Sequence, residues 1–271
     1  MDDLAAFARL VEALKPWRTQ LVIVGGWAHR LYRFHPRATA QGYQALTTRD
    51  TDLAFANDAP LGGNIKSALS AAGFEEELYG DHRPPVTHYA LGDDDAGFYA
   101  EFLTPLLGSS VKRSGEPDAT VSTAGITAQK LRHLGVLLVR PWQITIGREQ
   151  GVPLDNPARL LVANPVSFIV QKLLIQKDRT PTKRAQDVLY IHDTLQLFGT
   201  GLAELKTLWN DEIRPALPAK TGNRVIDLAG EAFSSVSDVI RDAARIPQDR
   251  AVSPEQLQAS CQLAISHVLS T

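Results

Sequence analysis

Cysteine is almost absent. Cys261 is the only one in 271 residues, which excludes a disulfide framework and any zinc cluster built on several thiolates. A dominant charge is lacking too. The formal net charge is −2, so no global basic field advertises nucleic acid, and such contact would need a local patch. No apolar run reaches the length of roughly 18 residues that a membrane-spanning helix requires, so no membrane contact is expected. The 7 histidines show no H-x-x-x-H or other zinc spacing. Ser110, Ser122 and Ser167 lack a G-x-S-x-G context, which argues against a serine hydrolase. Neither G-x-x-x-x-G-K-[ST] nor G-x-G-x-x-G occurs around the glycine pair Gly25-Gly26, so neither a P-loop nor a dinucleotide fold is supported.

What is present is ordinary for a folded soluble chain: 44% apolar and 21% charged residues, long enough for one large domain or two smaller ones. Leu4, Phe7, Leu10, Val11 and Leu14 recur at helical spacing. The acidic start MDD stands where a signal peptide needs positive charge, and the expected location is the cytoplasm. LVIV, residues 21–24, is a buried strand, the glycine pair turns the chain, and a helix starts at Trp27. After a polar loop over 35–45, a second strand spans Arg49 to Phe55 and a helix spans Asn64 to Ala72. Thr87–Leu91 and Gly97–Leu103 are expected to form a hairpin around GDDDAG. Strands are also expected at 142–146 and 159–162. From Asn164 the chain turns helical, with helices from Pro165 and over 183–197, 201–215, 222–243 and 253–269. The expected domains are 1–155 and 156–271.

Asp50 and Asp52 are the first candidates for chemistry. On a strand, residues i and i+2 share a face, so both carboxylates converge. Two like charges so placed repel unless a cation lies between them, and hard oxygen ligands favour Mg²⁺ or Mn²⁺. Glu101 sits inside the apolar run GFYAEFL, where a carboxylate is costly unless paired, at an edge or on a metal. If that strand lies beside 49–55, Glu101 completes a two-metal site for in-line displacement at phosphorus. Each element alone has a plainer explanation: a solvated strand end for the aspartates, and a solvent-facing strand position for Glu101. Arg49 is expected on the opposite strand face. Gly25-Gly26 adds exposed backbone N–H groups suited to phosphate oxygens.

Gly25-Gly26, Asp50-x-Asp52 and an isolated acid in a later strand together resemble the DNA polymerase β-type nucleotidyltransferase superfamily over roughly residues 20–105. The stretch PVSFIVQKLLIQKDRTPTKRAQDVLYI, Pro165 to Ile191, is similar to the helical region of a bacterial nucleotidyltransferase-like group that includes AbiEii-type toxins. The resemblance implies an α+β fold, with an N-terminal polymerase β-like mixed sheet and helices followed by a C-terminal helical domain and a cleft between them. It implies that Asp50, Asp52 and Glu101 hold two Mg²⁺ or Mn²⁺ ions, that Gly25 and Gly26 hold the β- and γ-phosphates, and that Lys172 reaches the triphosphate. Asp187 would orient basic residues. Two features depart from the pattern: Trp27 is large for its position, and the gap from Gly26 to Asp50 is long. Asp93, Asp94 and Asp95 are rivals to Glu101.

Lys172, Lys177, Arg179, Lys183 and Arg184 form a basic segment. It is either a solvated helix end or a contact for triphosphate or RNA backbone, with Lys172, Arg179 and Lys183 as phosphate-binding candidates. The implied reaction is NMP transfer from an NTP to an acceptor hydroxyl, releasing pyrophosphate. RNA or tRNA is the favoured acceptor. A small antibiotic acceptor, or a non-catalytic nucleotide-binding toxin–antitoxin module with a cognate antitoxin or other partner protein, are the alternatives.

Overall fold

The computed structural model describes residues 3–80, 84–92, 97–112 and 114–270. The chain divides into two units: residues 1–34 with 47–163, and residues 35–46 with 164–271.

The first unit is a mixed sheet with helices. The strands are β1 (Val22–Val24), β2 (Asp50–Ala54), β3 (Glu75–Tyr79), β4 (Val86–Leu91), β5 (Phe98–Pro105), β6 (Thr120–Thr123), β7 (Ile126–Leu131), β8 (Trp142–Ile146) and β9 (Ala158–Val162). Among the described residues the order is β3-β4-β5-β2-β1-β9-β8, with β7 on the far end of β5 and β6 on β7. β2 pairs antiparallel with β1 and parallel with β5. The expected hairpin strands pair antiparallel as β4 and β5, and residues 93–96 between them, with the rival aspartates, lie outside the described residues.

Helix α1 (Asp3–Ala13) turns Phe7, Leu10 and Val11 inward. The Phe7 ring stacks on Trp27 at 4.1 Å, and Trp27 meets the edge of Phe98 at 5.7 Å. The large residue after the glycine pair is therefore a core plug, fully buried in α2 (Gly25–Leu31). Helix α3 (Ile65–Ala71) starts where the Asn64 side chain accepts from the Ser67 N–H.

The second unit is helical, and its helix starts repeat one chemistry. α4 (Pro165–Ile175), α5 (Pro181–Leu197) and α10 (Pro254–Val268) each begin with proline directly after a capping side chain: Asn164, Thr180 and Ser253. The helix expected over 201–215 is α6 (Leu202–Leu208), a wider π turn over Trp209–Ile213 and α7 (Arg214–Ala216). The helix expected over 222–243 is two, α8 (Ala219–Ala232) and α9 (Asp238–Arg245), because Ser237 accepts from the Ile240 N–H and starts a new one. Cys261 is buried on α10, and burial, with Asp193 adding to it, raises its thiol well above the usual range.

Three differences from the sequence expectations matter. β9 belongs to the first unit, paired parallel with β1, so that unit extends to residue 163 and not 155. β3, β6 and β7 carry no strong strand pattern: EEELY is an acidic edge, where charge deters further pairing. The long segment after the glycine turn is no free loop. Residues 35–46 are built into the helical unit through Thr39 N–H to Leu197 O at 2.7 Å, Arg37 to Glu204 at 3.1 Å and Gln44 N–H to Asp249 at 2.6 Å.

Candidate active site

Strand alternation builds the site. On β2, Thr51 and Leu53 are buried while Asp50 and Asp52 are half-buried, so both aspartates occupy the accessible face. On β5, Phe98, Ala100 and Phe102 are buried while Tyr99 and Glu101 are half-buried. The condition on which Glu101 rested is met: β2 and β5 pair in parallel, with Asp50 beside Tyr99 and Asp52 beside Glu101. Adjacent strands lie about 4.8 Å apart, so the three carboxylates share one patch of the sheet.

Tyr99 reports their field. Its hydroxyl is raised well above the usual tyrosine range, first by burial and then by Asp50, Glu101 and Asp52 in turn. It stays neutral and protonated, able to donate. Asp50 accepts from the Thr48 hydroxyl. Glu101 Oε1 lies 2.9 Å from His88 Nε2 across the β4–β5 ladder.

The glycine turn is part of the same patch. Gly25 has φ +64°, and a Cβ there would lie 2.1 Å from Asp52 Oδ2. Only glycine admits both that backbone and that carboxylate. The glycine turn therefore packs closely against the Asp52 carboxylate. His29 is fully buried, its ring edge-on to Tyr32 at 6.2 Å, and belongs to the core.

Hard carboxylate oxygens brought together from two paired strands suit Mg²⁺ or Mn²⁺. Side-chain placement is less complete than strand register. Among the described residues no group of three or more His, Cys, Asp and Glu side chains is gathered as a metal cage, and Glu101 is turned to His88. By donor chemistry Asp50 and Asp52 suit a divalent ion, while Glu101 is paired with His88.

The basic segment is arranged differently. Lys172 is 6% exposed, its ammonium 2.7 Å from Asp187 Oδ1 and over the rings of Phe168 and Tyr190. Arg179 donates to the other oxygen of Asp187 at 3.1 Å. Lys183 is exposed on the first turn of α5. Lys172, Arg179 and Lys183 all belong to the second unit, whereas Gly25, Gly26, Asp50, Asp52 and Glu101 belong to the first. The polar residues after the glycine turn also divide, Arg30 and Arg33 in the first unit and His35 and Arg37 in the second.

Sequence reading missed an open cavity of about 260 Å³ on the carboxylate face, lined by Arg49, Glu77, Tyr79, His88, Ala90 and Tyr99. Arg49 was expected on the opposite face. It precedes the regular strand, which starts at Asp50, so strand alternation does not bind it. Alternation along β4 and β5 carried the signal for His88 and Tyr99, but only the register joins them to Glu77 and Tyr79.

A family model described as Nucleotidyltransferase matches residues 2–214, well over half of the chain. No curated protein sequence matches it. Among the described residues no helix is long and apolar enough to cross a membrane. The chain belongs to this nucleotidyltransferase family, and it is an enzyme that transfers a phosphorus-containing group from an NTP.

Proposed function

We propose that the protein transfers a nucleoside monophosphate from an NTP to an acceptor hydroxyl, with Asp50, Asp52 and Glu101 as the catalytic carboxylates. The observation that carries this reading is the parallel register of β2 and β5, which sets Glu101 beside Asp52 while Gly25 abuts the Asp52 carboxylate. The acceptor oxygen forms a bond to the α-phosphorus, the bond from that phosphorus to the bridging oxygen breaks, and pyrophosphate leaves. Glu101 takes the acceptor proton, having left His88. Asp50 and Asp52 would hold Mg²⁺ or Mn²⁺, which would supply positive charge to offset the negative charge developing at phosphorus. Backbone N–H groups at Gly25-Gly26 contact the β- and γ-phosphates. The remaining catalysis is positioning.

The case for an RNA acceptor rested on the segment from Lys172 to Arg184. Its two most inward cations, Lys172 and Arg179, are engaged by Asp187, which weakens that case and leaves Lys183 as the exposed phosphate candidate. The test supplies each α-labelled NTP with Mg²⁺ or Mn²⁺, and offers total RNA, a protein extract and an aminoglycoside panel as acceptors. Label on one acceptor class, lost in Asp50→Asn/Asp52→Asn, is the expected result. Transfer that persists in that double variant removes the aspartates from the mechanism.

A further inference from the structure

Glu101 has two neighbours across the sheet and is turned to one of them. The register sets it between His88 on β4 and Asp52 on β2, one strand spacing of about 4.8 Å from each. Its Oε1 lies 2.9 Å from His88 Nε2, with both side chains 18% exposed. A carboxylate only accepts, so the imidazole N–H donates. On the other side Glu101 would meet the like charge of Asp52. His88 is a braced partner. Its ring stacks on Tyr79 of β3 at 4.2 Å with 28° between the planes, and on Tyr99 of β5 at 5.1 Å and 15°. The Tyr79 hydroxyl donates in turn to Glu77 at 2.6 Å, and Glu77 is paired with His88 on the β3–β4 ladder. The imidazole is thus held in place by its neighbours, and the carboxylate is the member of the pair that can change partner.

We propose that His88 is a positioning residue, which holds Glu101 away from Asp50 and Asp52 until a metal-bound nucleotide is seated beside them. The inference rests on the nucleotidyl-transfer reading, in which Glu101 serves the reaction only after leaving His88. Two opposed interactions set the balance. The hydrogen bond to His88 and the repulsion from Asp52 both keep Glu101 on the β4 side. Positive charge beside the aspartates reverses the second of these, because three carboxylates then share a cation. A single cross-strand pair is weak enough to yield to that change. Asp187, tied by both Lys172 and Arg179, is not held in this way. While Glu101 stays on His88 it is withheld from a metal, and the apparent metal affinity falls by the fraction of chains in which it is released.

The test is calorimetric titration of the purified full chain with Mn²⁺ alone, at about 0.15 M salt, where loose surface attraction is screened. His88→Phe keeps a ring in the stack and removes the N–H donor. It is expected to tighten Mn²⁺ binding roughly threefold or more, the gain from freeing a cross-strand pair. His88→Ala is expected to act in the same direction, and whichever of the two keeps the wild-type circular dichroism decides. His88→Gln restores a side-chain N–H donor and is expected to bring the affinity back to that of the wild type. Made in a Glu101→Gln background, His88→Phe is expected to change nothing, since no carboxylate is there to release. Mn²⁺ binding that is no tighter in the folded variant, or that is undetectable in every chain, overturns the proposal. So does a gain that persists in the Glu101→Gln background, which would be an effect of charge in general. Transfer from labelled NTP is read separately. Its absence from the wild type defeats the transfer reading, while the Mn²⁺ titrations alone decide whether His88 holds Glu101.

Discussion

The two units handle buried acid in opposite ways. In the helical unit Asp187 and Asp193 are 0% and 1% exposed, and each meets full cations. Asp187 lies between Lys172 of α4 and Arg179. Asp193 receives both its oxygens' contacts from Arg250 at 2.6 Å, with His192 beside it and the Arg250 guanidinium stacked over Tyr43. In the sheet unit Asp50, Asp52 and Glu101 stay half-buried. Asp50 accepts from the Thr48 hydroxyl, Glu101 faces a histidine, and a glycine abuts Asp52. A carboxylate locked to arginine and lysine is a structural tie and has little left for a ligand. Carboxylates held by a hydroxyl and an imidazole on an accessible sheet face keep the freedom that the proposed catalytic roles require. Residue type is the same in both places, and the partner decides the role.

The largest expected effect tests the structural side. Asp187→Asn leaves the buried Lys172 ammonium without its counter-charge and should destabilise the fold by about 3–5 kcal/mol in urea unfolding. A loss under about 1 kcal/mol would mean that the pair does not tie α4 to α5. Next comes the catalytic side. Asp52→Asn should lower transfer turnover by about 10²–10³-fold, or ~2.7–4 kcal/mol in activation free energy. Thermal unfolding should stay in place or move upward, since relief of like charge favours the fold. A variant that lost stability and kept turnover would put Asp52 in the same class as Asp187.

Gly25→Ala sharpens the contrast because it touches both quantities. An alanine at φ +64° costs about 1–2 kcal/mol, and its Cβ displaces the Asp52 carboxylate. Stability and turnover should fall together, read by differential scanning calorimetry and the transfer assay. Wild-type turnover would show that Asp52 tolerates displacement. The smallest effect is the control for charge as such. Arg241 pairs with Asp238 at 2.8 Å on the surface of α9, and Arg241→Ala should change stability by less than about 0.5 kcal/mol. A larger change would remove the distinction between exposed and buried pairs on which the comparison depends.

Much of the site was legible because it depends on short-range geometry. Alternation along β2 put Asp50 and Asp52 on one face, and a glycine pair after an apolar strand marked the turn. Glu101 was legible only as a charge out of place in an apolar run. Its neighbour was not, because strand order depends on contacts between residues distant in sequence. EEELY gave no sign of being the strand that completes the cavity, since edge strands are chosen against pairing more than for it. Lys172 shows the reverse failure. A lysine inside VQKLLI reads as a residue with a special task, and it has one, but its partner is Asp187, fifteen positions along and on the next helix.

By itself the sequence determined the mixed α/β character, the capped helix starts, the two convergent aspartates and the turn at the glycine pair. Each of these follows from backbone geometry and side-chain chemistry within a few residues. Only the tertiary structure decided that Glu101 stands beside Asp52, that His88 and two tyrosines stack across the adjoining strands, and that Asp187 engages Lys172. Register and burial assign partners, and the energy of a charge in a protein depends on its partner far more than on its neighbours in the chain.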